Sequence, residues 1–348
     1  MNKINDLIVC GGGSGGHVLP ALTVIREVKK KFPDVQITCI GSYEGIESRL
    51  FQAEGLPYKG ISTGKLRRYL SWQNLTDIFR ILWGTIQSFF FCLKFSRSQS
   101  VVFCTGGFVT VPVALACWLQ GKNIYVHEQT SRVGLANKIC STFAKGVMVT
   151  FEASKKFFPA EKTKHIGYPL RDEIFQESPL ENEGQKPILF LTGGGNGSSL
   201  LNKTLFSLKD GLIENYQIIH QCGKAEFSLY SPHSSDDYKV YEFVGEEMIS
   251  LLDKAQIVIS RAGAGTVIEL MALGKPSIFV PLKIAQKNEQ FHNAMEAHNK
   301  LGSIVIEEDQ FNEESLREAI TKMSSLERAP KETKNPTGDI VAILMGEK

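Results

Sequence analysis

Short apolar runs alternate with longer amphipathic stretches through the first half of the chain. The stretch from Leu19 to Lys31 has the spacing of a helix, and it stands between two such runs. Alternating strand and helix signals predict a parallel sheet with helices on both faces. The predicted strands of this half are Leu7–Cys10, Gln36–Ile40, Val101–Cys104, Asn123–Val126 and Gly146–Val149.

The second half repeats this pattern after a polar interruption at Gln176–Lys186. An apolar run, a glycine cluster and a helix from about Leu200 follow in the same order, and Gly11 and Gly193 are 182 positions apart. The repeat predicts an α/β protein of two similar, Rossmann-like, doubly wound domains. The predicted strands are Pro187–Leu191, Tyr216–Ile219, Val240–Val244, Ile257–Ile259, Ser277–Val280 and Ser303–Ile306.

The domain boundaries follow from the breaks in this pattern. Gly167–Pro169 ends the first half, and the polar stretch Arg328–Thr337, with two prolines, ends the second. A short apolar segment, Ile340–Met345, has the composition of a final helix. We therefore expect domains at residues 1–166 and 167–337, with residues 338–348 packed back on the first.

The charge of the chain is divided unevenly between the two halves. The net charge is only +2, but residues 1–165 carry 21 basic and 10 acidic side chains, whereas the remainder carries 18 and 27. A basic first half is typical of a protein with an anionic partner such as phosphate, acidic lipid or nucleic acid. A solvated surface whose charges happen to segregate is the alternative.

Cysteine usage and the termini bear on the compartment. No two of the seven cysteines form a CxxC pair, and Cys10, Cys39 and Cys104 lie in or beside apolar runs. This pattern predicts reduced, buried thiols and a cytosolic protein. We expect no signal peptide, because the polar start leads directly into a strand. The most apolar segment, Ile78–Leu93, contains Arg80 and is too short to span a bilayer.

The first glycine cluster predicts a phosphate-binding loop. Residues Gly11–His17 satisfy G-x-G-x-x-G between a strand and a helix. Glycines let backbone N–H groups approach a phosphate, and the helix N-terminus adds partial positive charge. A dehydrogenase also needs an acid at the end of the second strand. Here Gly41 and Ser42 end that strand and Glu44 lies beyond it, which disfavours a dehydrogenase.

Three more glycine loops follow predicted strands. They are Thr105–Phe108, Gly193–Gly197 and Arg261–Thr266. Ser198 and Ser199 have the right chemistry to cap the helix after the second of these. Any one loop is compatible with a tight strand–helix turn. Four loops at the carboxyl ends of strands favour ligand binding in a cleft between the domains.

Eight segments, in this order along the chain, form a set: Gly11–His17, Gly106–Pro112, Val126–Gln129, Gly134–Lys138, Gly193–Gly197, Arg261–Glu269, Phe279–Leu282 and Gln290–Ala294. Together they resemble the MurG family, whose members transfer N-acetylglucosamine from its UDP conjugate to lipid I, giving lipid II in peptidoglycan synthesis. The resemblance covers nearly the whole chain and implies a GT-B architecture, two Rossmann-like domains facing across a cleft.

The resemblance also implies roles for individual residues. Catalysis falls to His17 and Glu128. The acceptor contacts Gly13, Gly106 and Gly107. The donor contacts Ser14, Gly15, Gly16, Thr130, Arg171, Gly195, Asn196, Val244, Ala264, Gly265, Thr266, Glu269 and Gln290.

The chemistry of these residues suits an inverting sugar transfer. His17 stands where a helix begins, and the helix dipole favours the neutral imidazole that a general base requires. Alternatively, His17 only orders its loop, and Glu128 is only a structural carboxylate. Arg171 is the candidate cation for the diphosphate, or else a linker arginine in an ion pair. Glu269 has the oxygens to accept hydrogen bonds from the ribose diol.

Val244 is expected to read uracil through its backbone, and Gln290 to contact sugar hydroxyls. No Asp-x-Asp motif is present, and we expect neither a metal nor a cofactor in the reaction. The chain departs from the family pattern at Thr130, where asparagine is usual, and at Gly195 and Asn196, which replace serine and glutamine. Glu289 also stands where the family has glutamine or histidine. All of these departures lie near the donor in the family.

The expected partners are UDP-N-acetylglucosamine, lipid I, an anionic membrane surface at the cytoplasmic face, and other cell-wall synthesis proteins, but not nucleic acid. A lipid-linked acceptor requires the enzyme to reach the bilayer. The segment Trp72–Phe95 is rich in large apolar side chains, and cations flank it, as is typical of interfacial helices. The named side chains are Phe79, Ile81, Leu82, Trp83, Phe89, Phe90, Phe91 and Trp118, with Lys65, Arg67, Arg68, Lys94 and Arg97. We expect about half of the aromatic ones to be core instead.

Two other kinds of function remain compatible with these residues. One is another GT-B enzyme that uses a UDP-sugar, such as a glycolipid glycosyltransferase or a UDP-sugar epimerase. The other is an inactive sugar-nucleotide-binding scaffold. Product analysis distinguishes the first kind from a MurG-type transferase, and UDP release without turnover would support the second.

Overall fold

The computed structural model describes residues 3–64, 72–176, 186–245, 247–284 and 288–347, with side chains described from residue 76 onward in the helix that begins at Trp72. The chain forms two compact units, Met1–Leu170 with Asn335–Lys348, and Arg171–Lys334. These limits differ from the predicted 166/167 and 337/338. The reason is that Leu170 is buried in the first unit, where its carbonyl accepts hydrogen bonds from the side chains of Asn335 and Thr337.

The first unit is built on a wholly parallel sheet. Its strand order is β3-β2-β1-β4-β5-β6-β7, and every pair is parallel. The chain starts in the middle of the sheet and winds outward in both directions, as expected of a doubly wound domain. The strands are β1 Asp6–Gly11, β2 Gln36–Ser42, β3 Tyr58–Ile61, β4 Ser100–Gly106, β5 Asn123–Glu128, β6 Gly146–Val149 and β7 Thr163–His165.

Helices cover both faces of this sheet. One face is covered by the three helices that lie between Trp72 and Phe143. The other is covered by the two helices that lie between Gly15 and Ala53 and by the last helix of the chain, whose side chains Ile340, Val341 and Leu344 join a buried cluster with Val24 and Ile25. The last helix of the chain is therefore part of the core of the first unit. The helices are α1 Gly15–Lys31, α2 Ile46–Ala53, α3 Trp72–Cys92, α4 Thr110–Leu119, α5 Leu135–Phe143 and, at the end of the chain, α12 Pro336–Met345.

The second unit repeats the architecture with a parallel sheet of order β10-β9-β8-β11-β12-β13. Its core is formed largely by leucine and isoleucine side chains from the strands and from two of its helices. The strands are β8 Ile188–Thr192, β9 Gln217–Gln221, β10 Tyr238–Tyr241, β11 Ile257–Ser260, β12 Ile278–Phe279 and β13 Ile304–Val305. The helices are α6 Ser199–Leu212, α7 Phe227–Tyr230, α8 Met248–Lys254, α9 Ala264–Ala272, α10 Glu289–Leu301 and α11 Glu313–Met323.

The α/β class and the two Rossmann-like units are confirmed, and the differences are local. The sequence missed β3 and β7, because these short strands contain lysine, glycine or histidine rather than an apolar run. The strand predicted at Val240–Val244 lies two residues earlier and ends at Tyr241. Ser198 occupies the N-cap position of α6 without a side-chain cap hydrogen bond, because its hydroxyl accepts from Arg261 instead.

Candidate functional site

Two glycine loops of the first unit interlock at the carboxyl ends of the neighbouring strands β1 and β4. The amide of Gly12 donates to the Gly106 carbonyl across 3.1 Å. Gly107 has φ +85°, and a Cβ atom there would lie 2.0 Å from the Gly12 carbonyl oxygen. Only glycine combines that backbone conformation with so close an approach. The two loops predicted to bind the acceptor therefore form one surface.

His17 lies on this surface, in the first turn of α1. Its ring packs against Gly106, where φ is +110° and a Cβ atom would lie 2.8 Å from ring atoms. The Nδ1 atom is 3.0 Å from the Thr105 carbonyl oxygen. Among the described residues, no hydrogen-bond partner meets the Nε2 atom, and His17 is half-exposed. The described residues thus hold the Nδ1 side of the imidazole and make no hydrogen bond to its Nε2 side.

Glu47 is a residue of this site that sequence reasoning missed. Its wholly buried carboxylate accepts hydrogen bonds from the Gly13 amide at 3.0 Å and from the Ser42 amide and hydroxyl at 3.1 and 2.6 Å. It therefore ties the first glycine loop to the end of β2. A single acid in a helical turn carries no pattern that identifies it. Glu44, the acid that the sequence singled out beyond β2, is exposed.

The first turn of α1 has the features of an anion site. Gly13 has φ +82° and leads into Ser14 at the N-cap. Within the described part of the chain, Ser14 makes no side-chain cap hydrogen bond. The backbone N–H groups of Gly15 and Gly16 are therefore not capped by it, and the helix dipole adds to their attraction for negative charge.

Glu128 is saturated by structural hydrogen bonds. One carboxylate oxygen accepts from the amide and hydroxyl of Thr130 at 3.1 and 2.9 Å. The other accepts from the Gly134 amide at 3.2 Å and the Asn137 side chain at 3.1 Å. These contacts fold the loop between β5 and α5 around a buried anion. A direct catalytic role for Glu128, and donor contact by Thr130, stay predictions.

In the second unit, Arg171 and Glu269 bind each other. The Nε and Nη2 atoms of Arg171 donate to one carboxylate oxygen of Glu269 at 3.1 and 3.0 Å. Burial raises the pKa of Glu269, and the nearby guanidinium opposes that rise. Two residues that the resemblance placed separately against the donor therefore form a single polar pair, in which Glu269 lies on α9 and Arg171 lies just before the short helical turn Asp172–Phe175.

The N-terminus of that helix, α9, carries three more of the predicted donor residues. Ala264, Gly265 and Thr266 form its first turn and are half-buried. The N-cap is Gly263, so no side chain caps the turn. Arg261, just before it, is held in place by the Ser198 hydroxyl, the Val280 carbonyl and Glu308. The geometry suits an anionic group at the helix end.

A buried glutamine, also missed by sequence reasoning, joins two predicted donor segments. The amide nitrogen of Gln221 donates to the Thr192 hydroxyl at 2.9 Å and the Gly194 carbonyl at 3.0 Å. Its oxygen accepts from the Val244 amide at 2.8 Å. The third glycine loop and the Val244 segment are therefore fixed to each other. The backbone N–H of Val244 is already used, which leaves its carbonyl for any base contact.

The remaining predicted donor residues are more accessible. Gly195 and Asn196 are exposed at the tip of the loop after β8. Gln290 lies in the first turn of α10, where its side-chain oxygen accepts from the Leu282 amide at 3.0 Å. The side-chain nitrogen of Gln290 is the part available to a sugar.

Parallel sheets with glycine-rich loops and helix N-termini at the strand ends, present in both units, are the features of the GT-B fold. Two family models match the chain, the glycosyltransferase family 28 N-terminal domain over residues 7–149 and its C-terminal domain over residues 188–341. The UDP-N-acetylglucosamine–N-acetylmuramyl-(pentapeptide) pyrophosphoryl-undecaprenol N-acetylglucosamine transferase of Geobacillus kaustophilus is 38% identical over 325 residues, which are 91% of this chain and 90% of that one. The transferase of the same name from Clostridium botulinum is 36% identical over 320 residues, 90% and 89% of the two chains. The chain belongs to this MurG family of glycosyltransferases.

Solved structures agree on the fold. Acinetobacter baumannii MurG matches with a TM-score of 0.72 at 24% identity, over 98% of this chain and 99% of that one. The UDP-N-acetylglucosamine 2-epimerase of Neisseria meningitidis, bound to UDP-N-acetylglucosamine, matches with 0.63 at 14% identity, over 98% and 99%. At these identities the likeness concerns the GT-B fold alone. The family models and the relatives, rather than the fold, distinguish a transferase from an epimerase.

Proposed function

We propose that this enzyme transfers N-acetylglucosamine from UDP-N-acetylglucosamine to undecaprenyl-pyrophosphoryl-N-acetylmuramoyl-pentapeptide, lipid I, with inversion at the anomeric carbon and without a metal. The observation that carries the proposal is the identity of 36–38% over about nine-tenths of the chain to transferases named for this reaction. The first unit binds the acceptor, and the second binds the donor.

On the acceptor side, His17 is the general base. An acceptor hydroxyl attacks C1 of the donor sugar, and its proton passes to the Nε2 atom of His17 as UDP leaves. The open Nε2 atom and the fixed Nδ1 atom support this assignment. The interlocked loops at Gly13, Gly106 and Gly107 form the surface beside it. Glu128 then acts through the loop that it organises rather than on the substrate.

On the donor side, the second unit stabilises the leaving diphosphate. The uncapped first turn of α9 supplies N–H groups and partial positive charge where charge develops. Glu269 receives the ribose hydroxyls through its second carboxylate oxygen, because Arg171 occupies the first. Arg171 adds the positive charge that a departing UDP needs. Gln290 and Asn196 contact the sugar.

The acceptor's lipid chain places the enzyme at the cytoplasmic face of the membrane, held there peripherally. Within the described residues, no helix combines the length and apolarity needed to cross a bilayer. One side of α3 instead exposes large apolar side chains to solvent, which suits insertion into an interface. They are Ile78, Phe79, Leu82, Trp83, Ile86 and Phe90, and the exposed Leu93 follows directly after the helix.

Cations and further apolar groups lie beside this face. Lys94 stands 4.1 Å from the Phe91 ring centroid at the end of α3. The side chain of Gln120, just after α4, donates to the Phe89 carbonyl at 2.6 Å, so the exposed Trp118 of α4 lies next to the same end. Lys65, Arg67 and Arg68 lie outside the described residues and stay predicted members of the surface.

The test is incubation with lipid I and a panel of UDP-sugars, with and without chelator, followed by mass analysis of the lipid. We expect the lipid to gain one N-acetylhexosamine from UDP-N-acetylglucosamine, equally well in chelator. Loss of transfer in chelator, restored only by a divalent ion, would contradict the metal-free mechanism. Equal use of UDP-glucose would show that Thr130 and Gly195 have changed the donor. A new free UDP-sugar without lipid product would identify an epimerase.

A further inference from the structure

The inner side of the His17 ring is held by two oxygen atoms. Its Nδ1 atom lies 3.0 Å from the Thr105 carbonyl and 3.4 Å from the side-chain oxygen of Gln129. A carbonyl oxygen and an amide oxygen can only accept hydrogen bonds. The Nδ1 atom must therefore carry a hydrogen, and in the neutral ring Nε2 then carries the lone pair.

The orientation of the Gln129 amide is itself determined by its other contacts. Its nitrogen lies 3.1 Å from the His127 carbonyl oxygen and 3.3 Å from the His127 Nδ1 atom. Turning the amide over would place its oxygen against that carbonyl and its NH₂ group against the N–H of His17. Gln129 is buried, so water cannot compensate for either clash. The oxygen of Gln129 must face His17.

His127 completes the chain of hydrogen bonds. Its Nε2 atom lies 2.9 Å from the Gly167 carbonyl and must donate to it, which leaves Nδ1 to accept from Gln129. His127 is completely buried, and burial lowers its pKa to about 4, so the ring is neutral near pH 7. Every donor then points the same way, from His17 through Gln129 and His127 to Gly167.

We propose that Gln129 is a positioning residue that holds His17 in its Nδ1–H tautomer, with the Nε2 lone pair free to take up a proton. This inference rests on the proposed function, in which His17 is the base. Its consequence is that the base is always presented with the correct nitrogen free, without a charged partner. A neutral amide does this without raising the basicity of the ring as a carboxylate would.

The first test needs no variant. Nitrogen-15 NMR of the histidine-labelled enzyme reports which ring nitrogen carries hydrogen. We expect His17 as the Nδ1–H tautomer and His127 as the Nε2–H tautomer at neutral pH, with signals assigned from His17→Ala and His127→Asn. An Nε2–H tautomer at His17 would overturn the proposal.

The second test replaces the amide by an apolar side chain of similar length, in Gln129→Met. We expect kcat to fall about 10- to 100-fold, less than when an imidazole takes the wrong tautomer completely, because Thr105 still holds the ring. The KM for the UDP-sugar should change little, and the His17 signals should move toward a mixture of tautomers. Gln52→Leu, which removes an exposed amide on α2, is the control. It should leave kcat, the KM for the UDP-sugar and the His17 signals unchanged.

The outcomes separate this inference from the proposed function. Full activity in His17→Ala would reject the base assignment itself. A large loss in His17→Ala, with unchanged kcat and unchanged His17 signals in Gln129→Met, would reject the positioning role alone. If Gln129→Met fails to fold, Gln129→Asn, whose shorter side chain withdraws the amide from His17, gives the same comparison. Unchanged kcat and unchanged His17 signals in that variant would reject the positioning role.

Discussion

The pairing of Arg171 with Glu269 shapes what each residue can do for the donor. Both guanidinium contacts go to one oxygen of Glu269, which orients the carboxylate. Among the described residues the second oxygen meets no hydrogen-bond donor. If Glu269 binds the ribose as proposed, the diol can use that oxygen without breaking the ion pair. We then expect Arg171 both to orient Glu269 and to bring positive charge near the diphosphate.

We predict that Glu269→Ala weakens UDP binding by about 1.5–3 kcal/mol, because a charged acceptor is lost. Isothermal titration with UDP measures it. Glu269→Gln, which keeps the shape but loses the charge, should weaken binding less. A Glu269→Ala enzyme that binds UDP normally and transfers slowly would contradict the ribose role.

At this scale the sequence identified residues that belong to a motif and missed those that support it. His17, Gly106 and Glu269 could be named because glycine spacing and the family resemblance mark them. No glycine spacing or family role identifies Glu47, Gln129 or Gln221, although Gln129 is the last residue of the Val126–Gln129 segment that carries the resemblance. Their roles depend on partners 34, 112 and 23 positions away in the chain, and only folding brings these together.

Among the described helices, α3 exposes the largest number of large apolar side chains. Of the seven apolar side chains that the sequence named on it, Phe79, Leu82, Trp83 and Phe90 are exposed. Ile81 and Phe91 pack against the core instead, and Phe89 is half-buried. Of the five aromatic ones, for which we expected about half in the core, Phe91 packs against it and Phe89 is half-buried. Helical periodicity indicated an apolar helix, but only the position of the sheet decides which side faces outward.

We predict that changing Phe79, Trp83 and Phe90 together to Ser weakens vesicle binding by about tenfold or more, because each large apolar side chain contributes roughly 1.5–3 kcal/mol when buried. Co-sedimentation with anionic and neutral liposomes measures it. Leu229→Ser, at an exposed leucine of the second unit, is the control. Unchanged binding of the triple variant would reject the docking face.

The same experiment, with a second variant, tests whether the basic residues of the first unit contribute to vesicle binding. Changing Lys65, Arg67 and Arg68 to Ala should remove the preference for anionic vesicles but keep binding to neutral ones. Each cation near such a surface contributes roughly 1 kcal/mol, and salt should weaken that part of the binding. Equal wild-type binding to both kinds of vesicle, at low and high salt, would exclude the electrostatic contribution.

Strand and helix order could be predicted well because parallel sheets are buried on both faces and their strands are continuous apolar runs. Strands at the edges of the sheet, such as β3 and β7, are only partly covered and carry polar residues, so the rule fails there. The glycine loops were located correctly because glycine interrupts both the apolar runs of the strands and the amphipathic spacing of the helices. Their interlocking through Gly12 and Gly107 could not be predicted, because it depends on β1 and β4 being neighbours.

In the whole molecule, each unit contains one buried neutral histidine. Burial lowers the pKa of both His127 and His220 to about 4, against an ordinary value of 6.5. His220 lies between the Tyr238 hydroxyl at 2.8 Å and the Asn202 side chain at 3.0 Å. Below pH 6.5 the unfolded chain takes up protons at these positions and the folded chain does not, so stability must fall as the pH decreases.

We predict a loss of up to about 3 kcal/mol per histidine between pH 6.5 and 4. Hydrogen exchange at pH 7.5, 6 and 5, analysed separately for each unit, measures this loss of stability. These pH values lie above the range in which most carboxylates titrate, so that the histidines dominate the change. His127→Gln should flatten the dependence in the first unit only, and His220→Gln in the second only. An unaltered slope in either variant would show that other groups cause the loss.

The return of the chain to the first unit has a consequence for synthesis on the ribosome. Helix α12 supplies Ile340, Val341 and Leu344 to the core of the first unit, yet it is translated after the whole of the second. Domains that are contiguous in sequence fold in the order in which they emerge. Here the nascent first unit must wait, with part of its apolar surface uncovered, until the second has been made. The half of the enzyme translated first is therefore completed last, and chaperones have the longest access to it.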